Sequence, residues 1–288
     1  VSDEADELGI FEYDLQGGEL TSRPRLLYEA LEAIRPERFY FYLTTNGHRL
    51  DKDMAKKLAK AGVSRVSVSI DSMDAEVHDE FRGKVGSWQK AIDALEHVAL
   101  AGMAPYLNIT VGHYNAFSED VKKMLKYSKD KGYTTLINVA TPGGMWKSMT
   151  EIMVDEKDTS HLIDLRQEYG NVLRNLWNPF DRNNKEVLGC NTVNRLYITP
   201  IGDVLPCPYV HIKLGNIFEN SLKEISEKGF KYKPFHDHSD LCLAGEDKEF
   251  VQKYLTNDEM GIFNPIPVEN IFSNKDMVNS IPTDTALF

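Results

Sequence analysis

Two segments, FYFYLTTNG at residues 39–47 and RVSVSID at residues 65–71, decide the predicted fold. Each is a short run of aromatic or β-branched residues that ends in polar residues, which is typical of a buried strand. Between the two segments, Asp51–Ala61 places Met54 and Leu58 on one face of a helix. A strand, a helix and a second strand in this order predict a parallel βα repeat.

The same alternation extends over the first 140 residues. The predicted strands are Phe11–Leu15, Phe39–Thr44, Arg65–Ile70, Pro105–Gly112 and Thr134–Val139. Further helices are predicted at Arg25–Arg35, Ser87–Ala101 with Ser87 as N-cap, Ser118–Lys131 and, as a longer helix, Asp155–Trp177. We therefore predict an α/β fold in which residues 1–177 form a partial TIM-like barrel of the (β/α)6 type.

The pattern changes after residue 177. Asn178–Leu188 is a polar connector, and the apolar alternation of Arg195–Thr199 and Val204–Tyr209 around the turn Pro200–Asp203 predicts a β-hairpin. With helices predicted at Glu219–Lys228 and Asp247–Leu255, residues 178–256 form a small auxiliary domain of a hairpin and helices. Residues 257–288 are rich in Pro, Asn and Asp and predict an irregular, partly disordered tail.

Charge and cysteine content limit the classes of function. The net charge is −11, and no run of basic residues exceeds a pair, so we expect no nucleic-acid partner. The sequence lacks an apolar run of about 18 residues, so we also expect no membrane span. Three cysteines are too few, and an odd number, for a disulfide scaffold, which favours a reducing cytoplasm.

Polar or glycine-rich residues follow the predicted strands at their carboxyl ends, where parallel sheets collect ligands. These residues are Gly17-Gly18-Glu19, Thr45-Asn46-Gly47, Ser69 with Asp71, His113 with Asn115, and Thr141-Pro142-Gly143-Gly144. Glycines allow close backbone approach or a positive φ, a carboxylate such as Glu19 can pair with an ammonium, and Asn46 offers a donor and an acceptor. A turn or a helix cap explains any one motif alone, but we expect the set to line one site.

The cysteines form a second candidate site. Cys190 and Cys207 stand in the pattern Cys-x11-Gly-x4-Cys, with Gly202 in the predicted hairpin turn, so Cys207 returns towards the residues that precede the hairpin. With Cys242 from a later segment, they offer three soft ligands of the kind that bind iron–sulfur clusters or zinc. Cysteines packed as small apolar residues are the simpler alternative.

Taken together, these motifs resemble those of the radical S-adenosylmethionine (radical SAM) superfamily. The resemblance rests on Gly17-Gly18-Glu19 after a strand, Thr44-Thr45-Asn46-Gly47, Val68-Ser69-Ile70-Asp71-Ser72 and Phe81-Arg82-Gly83. The stretch from Cys190 to Cys207 is similar to the start of the auxiliary-cluster domain called SPASM, or of its shorter form, Twitch. The resemblance covers Phe11–Leu255.

The resemblance implies that S-adenosyl-L-methionine (SAM) is cleaved to a 5′-deoxyadenosyl radical, which abstracts hydrogen from a peptide or small-molecule substrate, with electrons from an external donor. The implied cofactor contacts are Gly17, Gly18 and Glu19 for the methionine ammonium, Ser69 and Asp71 for the ribose or the carboxylate, Arg82 near that carboxylate, and His113 and Asn115 near adenine, with Asn46 beside them. The cysteines Cys190, Cys207 and Cys242 would ligate one auxiliary 4Fe-4S cluster.

The chain departs from the family pattern in two places. The family holds its radical-generating cluster with Cys-x3-Cys-x2-Cys after the first strand, and here no cysteine precedes Cys190. We therefore expect the chain to begin inside a longer protein, to lack the first βα unit and to be inactive alone. Only Cys242 follows Cys207, which favours Twitch with one cluster; its fourth ligand would be His236, His238 or Asp247, or one iron would stay open.

Two alternative functions remain open. The chain could be a shortened, non-catalytic homologue that binds SAM, a nucleoside or a peptide. Alternatively, the three cysteines and a histidine could close a tetrahedral, structural zinc site. The ligand types permit both iron–sulfur and zinc chemistry.

Overall fold

A parallel sheet organises the first part of the molecule. The computed structural model describes residues 1–256 and 259–278. Within them, six strands form one parallel sheet in chain order: β1 Glu12–Leu15, β2 Tyr40–Thr45, β3 Arg65–Ser69, β4 Ala104–Val111, β5 Thr134–Val139 and β6 Val172–Leu173. The helices of this part are α1 Ser2–Glu7, α2 Pro24–Ile34, α3 Lys52–Lys60, α4 Ala75–Arg82, α5 Ser87–Leu100, α6 Glu119–Lys131 and α7 Glu156–Tyr169. The predicted βα alternation is confirmed.

The strand register gathers the polar residues that follow the strands. Thr45 of β2 pairs with Val68 of β3, and Ser69 of β3 pairs with Asn108 of β4. The valine, leucine and isoleucine side chains of β2, β3 and β4 are buried in one cluster with apolar side chains of the helices, and each contributes about 1.5–3 kcal/mol of burial free energy. Because this core fixes the register, the residues after β1, β2 and β3 emerge at one edge of the sheet.

Two local predictions in this part are wrong. The helix predicted over Asp155–Trp177 ends at Tyr169, because Gly170 takes a φ of 80° and reverses the chain, so that β6 can pair with β5. The predicted N-cap Ser87 is the first residue of α5, and its hydroxyl donates to Asp79 at 2.9 Å.

The hairpin predicted after Cys190 is confirmed. β7 (Tyr197–Ile198) and β8 (Asp203–Leu205) pair antiparallel, and β10 (Gly215–Asn216) adds a third strand beside β8. Gly202 in the turn has a φ of 86°, and a Cβ there would lie 2.6 Å from the Phe218 ring. The other elements are β9 Ile212–Lys213, α8 Leu222–Gly229, α9 Lys233–His236 and α10 Lys248–Tyr254.

Residues 259–278 of the predicted irregular tail contain short ordered elements that pack on the fold. There β11 (Ile266–Pro267) pairs with β9, and α11 (Val268–Ile271) follows it. Val268 and Phe272 are buried in the C-terminal apolar cluster, so apolar burial outweighs the turn-forming composition. Residues 257–258 and 279–288 of the predicted tail lie outside the described part. The domain boundary near residue 177 stays a prediction. No helix in the described ranges is both long enough and apolar enough to cross a bilayer.

Candidate functional site

A cleft of about 210 Å³ lies at the carboxyl edge of the sheet, beside the loop after β1. Its lining includes Glu19, Asn46, His48, Arg49, His78 and Arg82. Three of these residues were predicted from strand ends and motifs, and the structure brings them together. The two histidines and Arg49 were missed, although the spacing of His78 and Arg82 on one face of α4 was a usable signal.

The Glu19 carboxylate is held firmly at this cleft. Its Oε1 accepts hydrogen bonds from the Thr21 N–H at 3.0 Å and from the Thr45 hydroxyl at 2.6 Å. Its Oε2 accepts the Asn46 N–H at 2.8 Å. The carboxylate therefore joins the loop after β1 to the end of β2. Each carboxylate oxygen can accept two hydrogen bonds, so Oε2 retains acceptor capacity for a cationic ligand group.

The two glycines before Glu19 are exposed, and neither has a positive φ. Of the two alternatives expected for them, a positive φ is therefore absent, and close approach of the backbone to a ligand is the one that remains. A Cβ on Gly18 would meet no atom within 4 Å, whereas one on Gly17 would lie 3.1 Å from a Leu20 methyl group. Open space in front of the backbone is compatible with close approach of a ligand, which stays a prediction.

Asp71 and Arg82 bind each other at the rim of the cleft. The Arg82 Nε donates to Asp71 Oδ2 at 2.5 Å and its Nη2 to Oδ1 at 3.1 Å. The Asp71 N–H donates to Nδ1 of buried His78 at 3.2 Å, and burial lowers the His78 pKa, which favours the neutral ring that this contact needs. Ser69 ends β3 two residues earlier. A ligand carboxylate or ribose would have to share these side chains with their existing partners.

His113 and Asn115 follow β4 but belong to other contacts. The Asn115 amide accepts the Gly112 N–H at 2.8 Å and donates to the Thr110 carbonyl at 3.1 Å, so it closes the turn after the strand. The His113 Nδ1 lies 2.8 Å from Oδ2 of Asp158, and this hydrogen bond raises the pKa of His113. Their predicted proximity to adenine stays a prediction.

The three cysteines share one environment. Cys190, Cys207 and Cys242 are free, half-buried thiols that pack on the C-terminal core. Burial and then the nearby Cys242 raise the pKa of Cys207, while burial and then Cys190 raise the pKa of Cys242 to about 11. Three soft thiols that would repel one another as thiolates form a donor set that fits a positively charged iron–sulfur centre. Cys242 also packs against the barrel core, so this centre would lie between the two parts.

The spacing of the sulfurs does not favour the zinc alternative. Among the described residues, the only group of three His, Cys, Asp or Glu ligand atoms within 4.8 Å of one another contains no cysteine. A tetrahedral zinc site with bonds of about 2.3 Å needs its sulfurs closer than about 4.6 Å. The predicted fourth ligands have other partners: the rings of His236 and His238 bind neighbouring aspartates, and Asp247 caps α10. The fourth ligand stays a prediction.

A polar group inside the barrel was not predicted from the sequence. The Arg65 guanidinium lies 3.8 Å from the ring centroid of Tyr42 and 4.2 Å from that of Tyr106. The Asp14 carboxylate is nearby; its Oδ1 is buried without a hydrogen-bond partner in the described residues, and burial raises the Asp14 pKa to about 6. Burial, and then the charges of Cys207, Cys242 and Asp14, raise the pKa of Tyr209, so this tyrosine lies near both the thiols and the Asp14 carboxylate.

Comparison with known protein families assigns both parts of the chain. The radical SAM superfamily model matches residues 2–140, and the SPASM model, an iron–sulfur cluster-binding domain, matches residues 190–246. These domains imply SAM and 4Fe-4S clusters as cofactors. The SPASM match ends directly after the segment that carries Cys242, so all three cysteines lie inside it.

Individual relatives agree with this assignment. An AdoMet-dependent heme synthase of Methanosarcina barkeri is 26% identical over 79% of this chain and 71% of its own length. A PqqA peptide cyclase of Granulibacter bethesdensis is 30% identical over 46% of this chain and 35% of its own length. Streptococcus suis SuiB, solved with S-adenosylmethionine, superposes with a TM-score of 0.59 at 17% identity over 80% of this chain and 60% of SuiB.

The matches thus cover 35% to 71% of the relatives' lengths. The likeness to SuiB concerns the fold, since the sequence identity is low. The family matches carry the assignment of the sequence. Residues 2–140 therefore form a domain of the radical SAM superfamily, and residues 190–246 form a SPASM domain.

Proposed function

We propose that this chain is the SAM-binding and auxiliary-cluster part of a radical SAM enzyme that modifies a peptide. The observation that carries the proposal is the position of Cys242, which packs against both the barrel core and the C-terminal core. A cluster bound there would face the barrel interior, where a substrate has to lie. SuiB has the same fold as this chain and has been solved with its precursor peptide SuiA. A peptide is therefore the favoured substrate class.

The residues of this chain have separable tasks in the proposal. Bound SAM would supply the carbon radical that abstracts hydrogen from the substrate. Glu19 would hold the SAM ammonium at the cleft, because its carboxylate is already fixed by hydrogen bonds from the end of β2. The pair Asp71–Arg82 would close the rim of the cleft against water. Cys190, Cys207 and Cys242 would hold one auxiliary 4Fe-4S cluster.

Anaerobic reconstitution with iron and sulfide tests the cluster assignment. We expect one 4Fe-4S cluster per chain and a brown chromophore that Cys190→Ala or Cys207→Ala abolishes. Zinc without labile sulfide in anaerobically purified protein would instead support the structural zinc site. Because the chain has no cysteine before Cys190, we expect no 5′-deoxyadenosine from it alone, and formation of that product would contradict our account of the radical-generating cluster.

Isothermal titration with SAM tests the cleft. A hydrogen bond to a charged group contributes about 1.5–3 kcal/mol, so Glu19→Gln, which removes the charge that pairs with the ammonium, should weaken SAM binding about 10- to 150-fold. Glu29→Gln, which changes an exposed residue of α2 paired with Arg25, is the matched control and should leave the affinity unchanged. Equal affinity of the Glu19 variant and the unmodified chain would place SAM elsewhere.

A further inference from the structure

The backbone of Cys242 is fixed from both sides by its own loop. Its carbonyl accepts the N–H groups of Gly245 at 3.2 Å, Glu246 at 2.8 Å and Asp247 at 3.1 Å. Its N–H donates to Oε2 of Glu246 at 2.7 Å. The Glu246 carboxylate is therefore the acceptor that sets the orientation of Cys242 at the start of this loop.

The Glu246 carboxylate is bound in turn by the barrel. Arg174, directly after β6, donates from Nη1 to Oε1 at 3.1 Å and from Nη2 to Oε2 in a forked contact. Thr159 of α7 donates its hydroxyl to Oε1 at 2.8 Å. The side chains of Arg174 and Glu246 are only 3% and 4% exposed. A buried pair of this kind is stable only when both charges are present and hydrogen-bonded, because a lone buried charge is strongly destabilising.

A steric contact seats the same loop on the sheet. An ideal Cβ on Gly245 would lie 2.4 Å from a Val139 methyl group, at the last residue of β5. Only glycine lets the backbone approach the strand end this closely. The loop that carries Cys242 is thus registered against the carboxyl end of β5 by packing and against α7 and β6 by hydrogen bonds.

We propose that Arg174 and Glu246 are positioning residues for the auxiliary cluster: they fix Cys242 against the mouth of the barrel and thereby set the retention and the reduction potential of the cluster. The inference rests on the proposed function, since it needs Cys242 to be a cluster ligand. Groups that orient a ligand typically change metal affinity 10- to 100-fold when removed, and cluster potentials depend on local charge and hydrogen bonding.

The test uses the full chain, reconstituted anaerobically with iron and sulfide. Two quantities are measured: the rate at which EDTA removes the cluster and the reduction potential from an EPR-monitored titration. We expect Glu246→Gln to accelerate cluster loss about 10- to 100-fold and to shift the potential. Arg174→Lys keeps the charge but loses the fork, so it should fall between Glu246→Gln and the unmodified chain.

The control separates positioning from a general loosening of the two parts. Glu12 of β1 and Arg195 form another ion pair between the barrel and the C-terminal part, without contacting a cysteine. Glu12→Gln should leave both the release rate and the potential unchanged, and an effect equal to that of Glu246→Gln would overturn the proposal. If Glu246→Gln does not fold, Thr159→Val decides, because it removes one hydrogen bond to Glu246 and keeps the ion pair. This milder variant should accelerate cluster loss about threefold.

The outcomes distinguish the two levels of inference. If the unmodified chain binds no cluster, the proposed function fails. If the unmodified chain binds the cluster but the variants at residues 246, 174 and 159 match it in release rate and potential, only the positioning role of the ion pair is wrong.

Discussion

The buried Asp14 carboxylate predicts an unusual dependence of stability on pH. Burial raises its pKa from 3.8 to about 6 in the folded chain, and its Oδ1 has no hydrogen-bond partner among the described residues. The folded protein therefore holds this proton more tightly than the unfolded chain does. As a result, the free energy of unfolding falls as pH rises from about 4 to about 6, because Asp14 loses its proton at a lower pH in the unfolded chain than in the folded one. Above about pH 6 this destabilisation is complete and no longer changes with pH.

Asp14→Asn removes this ionisation and should stabilise the protein at high pH. One pKa unit corresponds to about 1.36 kcal/mol, so a rise of about two units predicts a gain of about 3 kcal/mol near pH 8, but only about 0.5 kcal/mol near pH 4. The attraction between Asp14 and the nearby Arg195 and Arg65 is already part of this balance. Any packing cost of the asparagine amide is independent of pH. The prediction therefore concerns how the difference in free energy of unfolding between the variant and the unmodified chain changes with pH.

Urea denaturation near pH 4, 6 and 8 measures the free energy of unfolding of both proteins. The difference between Asp14→Asn and the unmodified chain should grow by about 2.5 kcal/mol across this range. Asp164→Asn changes an exposed residue on α7 and should give a flat difference. A difference for Asp14→Asn that is flat, or that shrinks towards pH 8, would refute the argument from burial.

Two further substitutions test contacts inside the barrel and at its mouth. Arg65→Lys loses the stacking of the planar guanidinium on the rings of Tyr42 and Tyr106. The free energy of unfolding, measured by urea denaturation, should fall by about 1–2 kcal/mol. An unchanged free energy of unfolding would show that the two ring contacts do not contribute to stability. Gly245→Ala should lower the free energy of unfolding by about 1–3 kcal/mol, because the new Cβ would clash with Val139. The double variant Gly245→Ala with Val139→Ala should recover part of this loss. Strictly additive losses of the two substitutions would contradict a direct clash.

The main strands of the barrel could be predicted because their sequences carry the structural signal locally. β2 and β3 are continuous buried runs bounded by polar residues, so pattern and propensity agree. β6 could not be predicted in the same way, since Val172 and Leu173 are too short a run to indicate a strand. In the sequence they continue the helical pattern of the preceding residues, although in the structure Gly170 ends that helix before them. The packed segment 259–278 was missed because its prolines and asparagines indicate turns, while its few apolar residues gain burial only from the finished fold.

In the candidate site, too, residues in local sequence motifs could be predicted, whereas long-range side-chain pairs could not. Glu19, Asn46 and Arg82 were predictable because each follows a strand or lies in a recognisable motif, and the sheet then brings them to one cleft. The partnership of Arg174 with Glu246 joins residues 72 positions apart, and neither residue lies in a local pattern. Long-range pairs of this kind depend on how the two parts dock, which single-sequence patterns do not encode.

The Arg174–Glu246 pair also bears on how such modules can be exchanged between proteins. A C-terminal module grafted onto a foreign barrel would keep Glu246 but lose the guanidinium that neutralises it. The graft would then bury a lone carboxylate beside Cys242, at a cost of about 3–5 kcal/mol. A viable chimera of this protein must therefore take its crossover point upstream of Thr159, so that the helix, the short strand and the cysteine loop are inherited together.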